Sequence, residues 1–348
     1  VKLQSIRATY DAEGPLATVY LEARSPGEDA EKQVRLRWDA LRRGLDGAGA
    51  DEGLLTALDE AVLVEDIGEV QADGRVLVAA RDGVLLDEPW DAAVGAGDAA
   101  HLAGQPRLGP YVRERARSVR LLVAIVDQEG AVVRREIAVE DREHPVGPDE
   151  TVDPDTVESV HKPRGQSLSH KQIQRRAADT VQQNARGVAE HLESVAKQWQ
   201  PDALVLAGEV QGRTAVRDEL PSALADICHE TESGGTGDDR AEEVLTGSLR
   251  DIASGVADDR DRRHRDRFEE ARARDRVAEG PRAVGHAANL GAVDTVFFGT
   301  GPAPENESVI LAACARIDAD AETLAGPVSD GVAAVLRFEA PDETARGG

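Results

Sequence analysis

Lysine is nearly missing from this chain. It occurs five times, at Lys2, Lys32, Lys162, Lys171 and Lys197, so arginine makes up the rest of the 41 basic residues. Aromatic residues are scarce as well, at 3%, which leaves the cores to be built from Ala, Val and Leu. No apolar run approaches the ~20 residues of a membrane-spanning helix. The first residues lack the charged-then-apolar pattern of a signal peptide. A soluble, cytoplasmic protein is expected, with no membrane partner. Only Cys228 and Cys314 are present, far apart and outside any metal-ligand spacing. They read as two buried thiols in a fold that needs no disulfide. The eight histidines are scattered and none falls in a His-Glu-x-x-His spacing. The stretch GTGPAPEN, residues 299–306, lacks the Lys-Ser/Thr of a phosphate-binding loop. No metal, nucleotide or other cofactor is expected.

What the chain has in excess is acid. Asp and Glu number 66, giving a formal net charge of −25. Lys depletion with abundant acid is the composition of proteins from a salt-loaded cytoplasm, and a GC-rich genome gives a similar Arg-over-Lys bias. Net charge of this sign argues against broad, patchless nucleic-acid binding. A local basic site stays open, because fields are screened beyond about 10 Å at ordinary salt.

At 348 residues the chain is too long for one ordinary core, and two or three domains of about 100–150 residues are expected. Residues 15–23 alternate as a strand. A helix over roughly 28–47 places Val34, Trp38, Leu41 and Leu45 on one face, and a second covers about 51–63. GRVLVAARDGVLLDEPW reads as a hairpin turning at Arg81-Asp82-Gly83. A second hairpin, 120–141, turns at Asp127-Gln128-Glu129-Gly130. The acidic segment after it, with Pro145, Pro148 and Pro154, reads as a loop. From Ile173 the apolar positions run Ala177, Val181, Ala185, Val188, Leu192, Val195 and Trp199, steps of four and three that predict a long helix. PDALVLAGE is then a short buried strand, and RTAVRDELPSALADI a helix broken at Pro221. Beyond the Gly-rich break at 232–239, residues 257–280 read as a solvated helix laced with ion pairs. AVDTVFFGTG, ESVILAACARI and GVAAVLRFE are expected to supply strands of a small α/β domain. Glu209, Arg213 and Arg217, after the LVLAG strand, read either as lining a crevice or as structural ion pairs.

The stretch at the mouth of the long helix stands apart from the rest. VHKPRGQSLSHKQIQRR, residues 160–176, gathers Lys162, Arg164, Lys171, Arg175 and Arg176 in an otherwise anionic chain. Gly165 permits a turn or a close backbone approach, and Ser167 or Ser169 can cap the helix. Cations at a helix N-terminus oppose the helix dipole, so they cost a little stability there. A phosphate backbone is the natural ligand of such an end. His161 and His170 flank the loop and are candidate RNA contacts, or else exposed histidines with no special role.

The order hairpin, long loop with Arg164-Gly165-Gln166-Ser167, long helix, LVLAG strand and Gly-rich break resembles the middle domain of eukaryotic and archaeal class-one release factors and of Pelota. The resemblance is best over about 118–237. Within that superfamily the segment HKPRGQSLSHKQIQRR, His161 to Arg176, is most similar to a bacterial and archaeal release-factor-like branch that includes the ribosome hibernation factor Balon. That branch has the pattern His-Lys-x-Arg-Gly-Gly-Gly-Trp-Ser. LAGEVQGRTAVRDELP and DGVAAVLRF look like the same branch. The chain departs from the pattern: Gly165 is the one loop glycine, Gln166 and Ser167 take the places of the other two, and Leu168 stands where Trp is usual. In the gapless frame Gln166 is a substitute for Gly. In the release-factor frame it aligns with the catalytic-loop Gln and the helix absorbs a two-residue insertion.

The resemblance implies an α/β fold of three domains: an α+β domain at 1–117, an RNase H-like middle domain with a long helix at 118–237, and a small α/β domain at 238–348. It implies a ribosome-binding factor at the A site, a hibernation or stress factor with His161, Lys162, Arg164, Gly165, Ser167, His170, Lys171, Arg175 and Arg176 on ribosomal RNA. Elongation factor Tu or its counterpart is an implied partner, and a monomer is expected. The alternative is a peptidyl-tRNA hydrolase in which Gln166 positions water by geometry and backbone N–H donors, since an amide has no useful pKa. A second alternative is a partner- or nucleotide-binding α/β protein with no ribosome contact.

Overall fold

The structure is a computed structural model that describes residues 1–22, 30–63, 74–90, 97–127, 129–139, 142–145, 149–152, 170–232, 239–326 and 328–338. Two compact units emerge, Val1–Ser118 together with Ala257–Gly348, and Val119–Val256. Among the described residues no helix is long and apolar enough to cross a membrane.

The first unit begins with a short helix α1 (Arg7–Asp11) and strand β1 (Leu16–Leu21), whose six residues are all buried. Helices α2 (Ala30–Gly47) and α3 (Glu52–Val62) follow. Val34, Trp38 and Leu45 of α2 are buried at the expected spacing, against Leu54, Leu55 and Leu58 of α3. Asp59 fastens the two helices, accepting from Trp38 Nε1 at 2.8 Å and Arg42 Nε at 2.9 Å. Asp51 caps α3 by accepting from Gly53 N at 2.9 Å. Strands β2 (Arg75–Ala80) and β3 (Gly83–Pro89) form the expected hairpin, and β4 (Ala99–Ala103) pairs on the other side of β1. The sheet order is β3-β2-β1-β4. Helix α4 (Gly109–Arg117) closes this segment.

The second unit is built on β5 (Val119–Val126) and β6 (Ala131–Val139). Asp127 shapes their turn, its Oδ1 accepting from the backbone N–H groups of Glu129 and Gly130, both at 2.8 Å. The acidic Pro-containing segment, expected to be a loop, holds two short strands, β7 (Arg142–Pro145) and β8 (Glu150–Val152), each antiparallel to β6. Pro145 is tolerated because it ends an edge strand, where no ladder bond is lost. Helix α5 (His170–Trp199) is 30 residues long. Strand β9 (Ala203–Gly208), helices α6 (Val210–Glu219) and α7 (Ser222–Ala225), broken at Pro221 as expected, and strand β10 (Cys228–Glu230) complete the unit. The sheet order is β10-β9-β5-β6-β7. Strands β9 and β10 run parallel to β5, and β6 runs antiparallel to both neighbours. With the short strand β8, which pairs β6 off this path, left out of the numbering, this is 5-4-1-2-3 with the second strand reversed, the RNase H-like arrangement expected for this segment.

Helix α8 (Asp239–Arg272) runs 34 residues, from the second unit into the first. It starts 18 residues earlier than the charged stretch suggests, and its end is not a wholly solvated face. Phe268 and Ala271 are buried with Phe297 and Val335. Arg260 donates to the carbonyls of Arg117 at 2.8 Å and Ser118 at 2.9 Å, satisfying acceptors at the end of α4. Strand β11 (Val277–Glu279), helix α9 (Pro281–Asn289), strand β12 (Val293–Gly299), helix α10 (Glu307–Arg316) and strands β13 (Asp320–Leu324) and β14 (Val332–Leu336) follow. Their sheet order is β11-β14-β12-β13. ESVILAACARI, expected as a strand, is helix α10. Its residues Ile310 to Ala315 are all buried, and a short continuous apolar run does not distinguish strand from buried helix. One hydrophobic cluster takes in Tyr20, Val76 and Trp90 from the first sheet and Val296, Phe298 and Val332 from the last. The two ends of the chain therefore share a core.

Candidate functional site

His161, Lys162, Arg164, Gly165, Gln166 and Ser167 lie outside the described residues. His170, Lys171, Arg175 and Arg176 lie on the backbone of α5, in its first two turns. A helix of this length extends about 45 Å. Further along the helix, Val181, Ala185, Val188 and Leu192 fall on one line.

That line holds α5 to the sheet. Ala185, Val188 and Leu192 are buried with Leu122, Ala124, Leu204 and Leu206. Midway along α5, Glu219 of α6 accepts from Gln182 Nε2 at 3.1 Å and Arg186 Nε at 3.2 Å. The hydrogen bond from Gln182, then that from Arg186, holds this carboxyl below its ordinary range. At the far end the Arg120 guanidinium lies 4.5 Å from the Trp199 ring centroid and donates to the Trp199 carbonyl at 3.0 Å. A cation at a helix C-terminus is favoured by the dipole. Asp202 then locks the chain back to β5, its Oδ2 accepting from Arg120 N at 2.8 Å and its N–H donating to Arg120 O at 2.8 Å. Beside this end, Glu150 of β8 receives His191 Nε2 at 3.0 Å and Arg135 at 3.4 Å. The helix that carries the candidate contacts is thus anchored along its second half.

Arg213 and Arg217 have structural partners, and the backbone of Glu209 is tied to the sheet. Gly208 has φ +92°, and a Cβ there would lie 2.3 Å from Val126 O. Glu209 N donates to that same oxygen at 2.9 Å. A Cβ at Gly212 would lie 2.6 Å from Asp127 O. The two glycines let α6 sit tight on the β5–β6 turn and fill the place where a crevice was considered. Arg213 is buried and donates to Thr231 O, and Arg217 pairs with Glu230. Cys228 is half-buried and Cys314 buried, both free thiols. Burial pushes Cys228 up to about 11 and Cys314 up to about 12, so neither is poised as a thiolate.

Arg267, Arg274, Arg276 and Arg337 together line a cavity of about 390 Å³ in the first unit. Sequence reasoning did not assemble them, because Arg337 is about 60 residues from the others and the pairing of β11 with β14 brings it near. The density of arginine over 260–276 was the available signal.

A mixed α/β chain, with an RNase H-like sheet carrying a long helix, is the class these elements define. Residues 120–274 match the family described as bacterial archaeo-eukaryotic release factor family 2, and over that segment the chain is similar to it. Two proteins of Mycobacterium tuberculosis, both described as uncharacterized, are each 26% identical over 234 residues, which is 65% of this chain and 58% of theirs. The chain therefore spans less than two thirds of the length of these relatives. Similar solved structures include an archaeal translation termination factor, aRF1 (TM-score 0.30, 12% identity, 97% of this chain and 99% of that one). Dom34 of S. cerevisiae, a translation termination-like factor, gives TM-score 0.39 at 11% identity over 66% of this chain and 65% of that one. Ribosome-bound archaeal Pelota gives TM-score 0.40 at 14% identity over 98% and 96%.

Proposed function

We propose that this chain is a ribosome-binding translation factor that occupies the A site and holds idle ribosomes as a hibernation or stress factor. The observation that carries the reading is the family match over 120–274, the segment that contains both the 160–176 stretch and α5. Lys162, Arg164, Lys171, Arg175 and Arg176 meet ribosomal RNA phosphates, with His161, Gly165, Ser167 and His170 in the same contact. Phosphate contacts of this kind position a protein and carry no sequence information. The segment 118–237 is the RNA-facing domain, flanked by 1–117 and 238–348. The chain acts as a monomer in the cytoplasm, together with elongation factor Tu or its counterpart.

In this reading no bond is broken. The hydrolase alternative rests on the Gly165-Gln166 pair alone. It requires Gln166 to place water against the ester carbon of peptidyl-tRNA while backbone donors meet the developing oxyanion. Co-sedimentation with ribosomes and release of peptide from a model peptidyl-tRNA test the two together. The expected result is binding without release, unchanged in Gln166→Ala. Release that falls by orders of magnitude in Gln166→Ala would replace the hibernation role with hydrolysis, and absence of co-sedimentation would remove both.

A further inference from the structure

We propose that the arginine-lined cavity of the first unit is a second binding site, for the phosphates of a single-stranded RNA. It lies among α8, β11, β12 and β14 and owes nothing to the 160–176 stretch. Four guanidinium groups line it, from Arg267, Arg274, Arg276 and Arg337, with two carboxylates, Glu270 and Asp294. The site is thus locally cationic by two charges in a chain of net charge −25.

The internal contacts leave the site short of acceptors. Asp294 serves two arginines, pairing with Arg267 and lying 3.8 Å from Arg337 Nε. Glu270 serves Arg274 at 2.6 Å. Arg337 Nη2 is held by the carbonyls of Ile317 at 2.8 Å and Asp318 at 3.3 Å. Arg276 donates from Nη2 to Arg337 O, and its enclosed Nε has no hydrogen-bond partner among the described residues. Backbone acceptors thus orient both forks; Arg337 shares the Asp294 carboxylate, and Arg276 has no carboxylate within 4.0 Å among the described residues. Planar forks held in place suit the several oxygens of phosphate.

Size and surroundings select among anions. A volume of about 390 Å³ lies in the range of small-molecule sites and gives room for more than one phosphate. Phe338 follows Arg337 directly in the chain and is 49% exposed; an exposed ring next to a phosphate contact is the kind of group on which a base stacks. Carboxylate ligands are disfavoured, because the chain's own 66 acidic side chains would compete for a site with no preference beyond charge. Phosphate diesters with an adjoining base meet both features.

The test is fluorescence anisotropy of a labelled 12-nucleotide single-stranded RNA with the full chain, with ATP and poly-glutamate as competitors. The Arg276→Ala/Arg337→Ala double variant should bind at least about tenfold more weakly. The dependence of log K on log salt should become shallower by about 1.4 for two lost strand contacts. Because both arginines hold backbone carbonyls, the exposed Arg274→Ala is the companion variant, expected to weaken binding with an unchanged melting temperature. Asp294→Asn should tighten binding, since it frees Arg267 and Arg337; a purely structural role for these residues gives no such gain. RNA affinity unchanged in both arginine variants, or lowered in Asp294→Asn, would overturn the proposal. So would displacement by poly-glutamate as effective as by RNA, or binding of ATP without binding of RNA. Failure here would leave ribosome co-sedimentation through Arg175 and Arg176 untouched, so the two readings fall separately.

Discussion

The Arg120 guanidinium covers the Trp199 ring at 4.5 Å and donates to the Trp199 carbonyl at 3.0 Å. One arginine from β5 thereby closes α5 at its C-terminal end, opposite the end that carries Arg175 and Arg176. Arg120→Ala removes a cation–π contact and a charged hydrogen bond, and should lower stability by about 1–3 kcal/mol. Urea unfolding followed by circular dichroism checks it. A shift of only a few tenths would mean that the end of α5 is held by packing alone.

Gly208 gives the sharpest backbone test. Its φ of +92° is strained for any L side chain, and the added Cβ would meet Val126 O at 2.3 Å, a backbone atom with little freedom to move. Gly208→Ala should destabilise by at least about 2 kcal/mol. An unchanged midpoint would show that the β5–β9 edge relaxes freely.

Glu307 sets a pH dependence. Burial raises its carboxyl above the ordinary value, and Arg113, whose Nη1 donates at 2.7 Å, offsets part of that. The folded chain therefore takes up this proton more readily than the unfolded one. The stabilising contribution is fully present below the unfolded carboxylate pKa and is lost as pH rises through the folded value. Glu307→Gln should accordingly match the parent near pH 4 and melt at an equal or higher temperature at pH 7. A variant that is less stable only at pH 7 would make the Arg113 pair the dominant effect.

The two thiols should differ in reactivity for the reason that raises both. Cys228, pushed up to about 11 and half-buried, should react slowly with Ellman's reagent at pH 8, faster with each added pH unit. Cys314, up to about 12 and buried, should react only on unfolding. Two equivalents titrated rapidly at pH 7 from the folded chain would contradict this.

Local periodicity made much of the second unit legible before the fold was seen. The four-and-three spacing from Ile173 to Trp199 marks α5, and Asp127 with Gly130 marks the β5–β6 turn, because each signal is contained in a few residues. Pro145 hid β7, since only its edge position makes a proline tolerable there. The Ile310–Ala315 run hid α10, because its continuous burial erases the polar face that distinguishes helix from strand. The shared core of Tyr20 and Trp90 with Phe298 joins residues more than 200 positions apart, and no local pattern records it. The candidate RNA-contacting stretch at 160–176 is marked by charge and resemblance; the cavity around Arg276 needs β14 beside β11.

The most direct test of the central claim is an electron cryomicroscopy reconstruction of ribosomes saturated with the full chain. The account predicts density in the A site with residues 162–176 against ribosomal RNA of the large subunit, and no such density with Arg175→Glu/Arg176→Glu. Ribosomes with an empty A site, or a bound chain whose α5 tip faces solvent, would contradict it.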